Sequence, residues 1–161
     1  MIRMFGTRLF FTNKLVIAMA VMSIICILTA GCSVNAFKNL KVQIGASPIR
    51  VDERNFAVFT VAALNTGEDS VNLQFSSGMQ FDFVVVSGDK EVWRWSHDKA
   101  AIMMLTQRDI APDELALHSI VWDGSDFSGT QVDSGEYQVF GEILTKPKVK
   151  TDKTTFYWPG N

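Results

Sequence analysis

Two histidines, His97 and His118, and two cysteines, Cys26 and Cys32, are the side chains in this 161-residue sequence best suited to nucleophilic or metal chemistry. A Ser-His-Asp site needs its serine on a strained turn, and no G-x-S-x-G elbow surrounds any serine here. His97 falls just after a strand-like run and His118 inside one, at a candidate exposed position. Two histidines among many serines are what chance supplies in a domain of this size. A soft Cu(I) site would combine His97 with the thioethers of Met103 and Met104. That methionine pair lies between Ile102 and Leu105, however, and reads as core filler. Asp123, Asp126 and Asp133 flank glycines as calcium loops do, but the EF-hand spacing is absent and ordinary Asx turns account for them. The expectation is a chain that is not an enzyme and has no metal, cofactor or small-molecule substrate.

Other residues offer recognition rather than reaction. Trp93-Arg94-Trp95 at strand spacing puts two indoles on one face and the guanidinium on the other. Indoles of that kind are recognition anchors when exposed and sandwich core when buried, and the core is the expected place. Asp82, between Phe81 and Phe83 in an apolar strand, needs hydrogen-bonding or cationic partners if that strand is covered on both faces, and Arg94 is the candidate. A structural role orienting a hairpin is expected for Asp82. Fifteen Lys and Arg against seventeen Asp and Glu give a net charge of −2, too little positive charge for a nucleic-acid binder held by phosphate contacts.

The cysteines are explained by the start of the chain. Residues 1–14 carry Arg3, Arg8 and Lys14 and no acid, and residues 15–30 are uncharged. A membrane span needs about 20 apolar residues, so this run is short for one; a basic start, an apolar run and small residues at its end describe an export signal. Leu28-Thr29-Ala30-Gly31-Cys32 resembles a bacterial lipobox, which implies cleavage between Gly31 and Cys32 and acylation of Cys32. Residues 1–31 are thus expected to be a lipoprotein signal peptide and 32–36 a lipidated tether. Ser33 after the cysteine implies the outer membrane if the cell is diderm, so the expected location is the cell envelope, facing outside the cytoplasm. Cys26 leaves with the signal, Cys32 carries lipid, and no thiol remains. Loss of three cations lowers the net charge from −2 to −5. An acidic domain is weakly repelled by an anionic bilayer, so the acyl chains must hold it there.

From residue 37 onward, period-two patterns dominate. Strand-like runs occur at 40–44, 56–64, 71–75, 81–86, 91–95, 115–122 and 137–144, separated by turn signals such as Asn65-Thr66-Gly67, Ser87-Gly88-Asp89 and Asp123-Gly124. A helical turn is expected only within 98–105. The basic segment 146–153 reads as a solvated connector, and the tail 147–161 offers a candidate edge strand at 154–158. The pattern predicts an all-β sandwich of about seven to eight strands over 37–146.

Several of these segments, taken together, resemble one family. Asn65-Thr66-Gly67, the run from Val71 through Phe75, Ser77, Gly78 and Asp82, and then Trp93, Trp95 and Ser96 are similar to the BsuPI (intracellular proteinase inhibitor) domain. Trp122-Asp123-Gly124 and Gly135-Glu136-Tyr137 follow in the order that family shows. Pro112-Asp113-Glu114 stands where the family has Pro-Gly-Glu, and Ser134-Gly135 where it has Pro-Gly. The resemblance spans roughly residues 40–145 and implies an immunoglobulin-like fold and inhibition of a serine protease. Arg94, Met103 and Met104 are the candidate interface residues. The expected function is a lipid-anchored binding module, partnered by the membrane through Cys32 and by a serine protease or an envelope protein. A structural envelope lipoprotein without inhibitory activity is the alternative.

Overall fold

The computed structural model describes residues 37–161; the signal, cleavage and lipidation expectations, including Gly31 and Cys32, lie outside the described residues. Ten strands follow in order: β1 (Leu40–Val51), β2 (Arg54–Asn65), β3 (Val71–Phe75), β4 (Phe81–Ser87), β5 (Lys90–Arg94), β6 (Thr106–Ile110), β7 (Leu115–Trp122), β8 (Gly135–Ile143), β9 (Val149–Lys150) and β10 (Thr154–Trp158). The first sheet is ordered β1-β2-β7 and the second β10-β8-β4-β5, with β9 also on β8. All pairings are antiparallel, and the two sheets face each other as a β-sandwich.

The core follows from alternation. Ala57, Phe59, Val61 and Ala63 of β2 point inward, as do Phe81, Phe83 and Val85 of β4 and Tyr137, Val139 and Ile143 of β8. Trp122 is the aromatic hub, 5.0 Å from the Trp158 ring and 6.1 Å from that of Trp93. Its indole N–H donates to the Ser125 carbonyl. Tyr137 Oη donates back to the Asp133 carbonyl at 2.9 Å, the tyrosine corner of immunoglobulin-like sandwiches. Asn65 is fully buried; its amide donates to the carbonyls of Asp69 and Ile110, and its own backbone pairs with Asp113 and Glu114.

β3 and β6 form a separate two-stranded ladder. Phe75 bridges Thr145, so β3 continues the line of β4 beyond a break at 76–80. β6 likewise continues the line of β5 beyond residues 95–105. The four strands are one long hairpin, interrupted on both arms at the same level. Gly78 N–H donates to the Ile102 carbonyl across the break.

The strand count exceeds the seven to eight expected because two strands are nearly silent in sequence. β6 (TQRDI) is polar on both faces apart from Ile110. β9 lies inside the basic segment that read as a solvated connector. That segment instead folds onto the sheet: Thr151 is buried, and its hydroxyl accepts the Gly141 N–H. β10 pairs with β8, and Trp158 is fully buried. Residues 98–105 hold no helical turn; successive turns occupy 95–98 and the rest is irregular.

The turn residue Gly124 serves packing as well as conformation. Its φ is +83°, and a Cβ there would collide with the Trp158 indole. Gly124→Ala is expected to cost about 2–4 kcal/mol, from left-handed strain plus overpacking, read by urea unfolding.

Candidate functional site: the interruption of the long hairpin

The interruption is held by a buried carboxylate. Asp82 is 3% exposed although it points to the outer face of β4. Its Oδ1 accepts the N–H groups of Phe83 and Ser96; its Oδ2 accepts the Ser96 hydroxyl at 2.7 Å and Arg94 Nη1 at 2.8 Å. Four donors satisfy both oxygens, which is what burial of a charge requires. Three of the four come from the point where β5 ends and the irregular segment begins. Asp82 therefore fixes the departure of that segment.

Arg94, expected as an interface residue, is occupied instead. Its Nε and Nη2 donate to the two oxygens of Glu91 at 2.9 Å each, a bidentate pair. Glu91 and Asp82 together hold its pKa above the ordinary value despite the opposing effect of burial. Nη1 also lies 3.8 Å from buried Glu142, whose carboxylate meets Lys150 at 2.8 Å and Lys148 at 3.5 Å. Burial pushes the Glu142 pKa up, but Lys150, Lys148 and Arg94 outweigh it and hold the group below its usual value. Three acids and three cations thus span β5, β4, β8 and the basic segment.

Trp93 and Trp95 lie on the opposite face from Arg94 and pack on the core. Lys99 Nζ sits 5.0 Å over the Trp95 ring. Ser77 donates to the Met79 carbonyl within the facing break. Between the two breaks lies a cleft of about 290 Å³ lined by Gly78, Met79, Trp95, Lys99, Ile102 and Met104.

The far half of the segment departs from expectation. Met103 and Met104, beside Ile102 and Leu105, read as core filler, yet Ile102, Met103, Met104 and Leu105 are 76%, 83%, 52% and 88% exposed. No strand pairing draws them inward: the chain regains a ladder only at Thr106, opposite Phe75. Their composition is that of a core; their position makes them a projecting apolar stretch.

The remaining candidates are dispersed. His97 packs against Phe127 at 4.5 Å. His118, expected at an exposed position, faces inward and stacks on Phe81 at 4.5 Å with a 7° interplanar angle. Burial, then the charge of Arg108, pushes its pKa below the ordinary value. Asp126 Oδ1 accepts the N–H groups of Ser128 and Thr130, and Asp123 that of Ser125, so both close turns. Among the described residues, no group of three or more acids, His or Cys is placed to hold a metal.

The arrangement is a sandwich with a pinned apolar projection. Residues 49–148 match the model of the family BsuPI, described as intracellular proteinase inhibitor, and the chain belongs to that family. No curated protein sequence matches it. Similar solved structures include a β-glucosidase from Erythrobacter marinus (13% identity, TM-score 0.39, covering 73% of this chain and 15% of that one). A β-glucosidase involved in saponin metabolism from intestinal bacteria gives 11% identity and TM-score 0.41, over 75% of this chain and 16% of that one. A Northeast Structural Genomics Consortium target gives 10% identity and TM-score 0.37, covering 76% and 87%. The chain thus spans less than a fifth of either glucosidase.

Asp82→Ala is expected to destabilise by about 3 kcal/mol or more, because it leaves the Phe83 and Ser96 N–H groups, the Ser96 hydroxyl and Arg94 Nη1 without their acceptor. A double-mutant cycle with Arg94→Met measures the coupling. For His118 the folded pKa lies below the unfolded one, so its contribution is present above about pH 6.5 and lost as pH falls through the folded value. His118→Phe should flatten the stability profile in that window. Glu142, also lowered on folding, acts in the same direction in the carboxylate range, and Glu142→Gln should reduce acid sensitivity there.

Proposed function

We propose that this chain is a lipid-anchored, extracytoplasmic member of its family that binds a serine protease through residues 95–105. The observation that carries this reading is the exposed Ile102-Met103-Met104-Leu105 stretch, tied at one end by Asp82 and Ser96 and across the break by Gly78. A protease cleft receives an extended segment whose side chains enter successive subsites. Here the side chains offered are large and apolar, and they suit a protease with an apolar primary pocket. Holding the ends beforehand lowers the conformational entropy lost on docking, which raises affinity without added area. The lipobox-like run ending in Cys32 supports anchoring, and Ser33 supports the outer membrane of a diderm cell.

A second reading, a structural envelope lipoprotein, draws on the unguarded edge of β7 described below. An inhibitor slows a subtilisin-like protease at stoichiometric amounts and survives the incubation; a structural lipoprotein is inert there and co-purifies with envelope proteins. Met103→Asp is expected to weaken inhibition at least about tenfold, since a charge must then be desolvated in an apolar pocket. The unfolding midpoint should stay unchanged, because Met103 is exposed. Anchoring is tested separately: Cys32→Ser should abolish labelling with palmitate and leave residues 1–31 uncut by intact mass.

A further inference from the structure

The sandwich is closed on one side and open on the other. On the closed side β1 lies against β10, with the Thr154 hydroxyl donating to the Ile44 carbonyl at 3.0 Å. On the open side β7 ends the first sheet and β5 the second. There the core reaches the surface: Trp93, Trp95, His118 and Ile120 are only half-buried.

An exposed strand edge is a template for another strand, and soluble proteins guard it with charge, proline, bulges or brevity. β1 carries Lys41, Pro48 and Arg50; β5 carries Lys90, Glu91 and Arg94 and pairs across a bulge; β6 carries Arg108 and Asp109; β10 is five residues long and lies against β1. β7 has none of these devices. Over eight residues it holds no charged side chain and no proline. Its outward positions are Leu115, Leu117, Ser119 and Val121, all exposed, Leu117 at 57%. Its one outward hydroxyl is already paired, Ser119 Oγ with Thr60 Oγ1 at 2.8 Å across the β2–β7 ladder.

We propose that β7 is the seam of a two-fold homodimer, pairing antiparallel with β7 of a second copy to give one continuous six-stranded sheet. The occupant follows from complementarity of charge and pattern. The edge wants an extended, uncharged strand with apolar alternate positions, and β7 is itself such a strand. A two-fold axis at His118 sets Leu115 opposite Val121 of the second copy and Leu117 opposite its Ser119. Within the paired residues 115–121 there is no Asp, Glu, Lys or Arg to repel its counterpart, although the chain as a whole is acidic.

The test is sedimentation velocity of the full chain in a mild detergent, comparing wild type with Leu117→Lys and Leu105→Lys. The expected result is a dimer for wild type and for Leu105→Lys. Leu117→Lys should raise the dimer dissociation constant about tenfold or more, with the thermal midpoint of the monomer, read at concentrations too low for dimer, unchanged. A wild-type chain that stays monomeric at high micromolar concentration overturns the proposal. So does equal dissociation by Leu105→Lys, which would place the contact on the projecting segment.

Discussion

Burial of the Asp82 carboxylate is the constraint on which the rest of the molecule turns. An ion removed from water costs several kcal/mol unless its lone pairs are filled, and here they are filled by Phe83, Ser96 and Arg94. Those donors can converge only if β5 stops at Arg94 and the chain bends at Ser96. One charge in the middle of an apolar strand therefore dictates where the neighbouring strand ends. The bidentate pair with Glu91 stiffens the guanidinium from the other side. A hydrophobic residue at 82 would be easier to bury, but it would leave the departure of the segment unspecified.

Around that pin, the two faces of the second sheet do different work. The inner face is aromatic, with Trp93, Tyr137, Phe156 and Trp158 each packed against Trp122 of the first sheet. The outer face of β4 and β8 would be strand surface open to water, yet Asp82, Val84 and Glu142 are buried there. Alternating charge covers it: Lys148 and Lys150 from the basic segment and Arg94 from β5 close over Glu142. Lys150 also lies over the Phe140 ring. The lysine stems supply apolar cover while their ends stay hydrated.

Much of this was legible in the residues. Period two in β1 and β3, the apolar strand-like runs of β2, β4, β7 and β8 and the Ser87-Gly88-Asp89 turn pointed to the sandwich, and a lone acid in an apolar run beside a Trp-Arg-Trp triplet pointed to the Asp82–Arg94 contact. What stayed hidden has a common cause. Met103, Met104, Ile102 and Leu105 carry the composition of a core, and only the absence of a partnering strand at that level makes them exposed. His118 alternates correctly with Ala116, Ile120 and Trp122, which are inward; its polarity argued for solvent and its position for the core, and position prevailed. β6 and β9 are polar because neighbours or countercharges, rather than their own side chains, hold them in place. The basic run signalled solvation only while its acid, Glu142 on a strand, was not known to be near.

The exposed stretch and the open side pose the same energetic question. Burying a large apolar side chain is worth about 1.5–3 kcal/mol, so four left in water forgo an amount comparable to the whole stability of a small domain. The chain had inexpensive ways to hide them: a ladder continuing from β5 to β6 would turn alternate residues inward. Asp82 and Ser96 prevent that continuation by breaking the hairpin just before the apolar residues arrive. The same residues thus stabilise the sandwich and keep its most apolar segment from joining it. A scaffold that spends a satisfied buried charge on holding hydrophobic side chains outward is organised for contact with another surface, and the uncharged edge of β7 extends that logic to the other sheet.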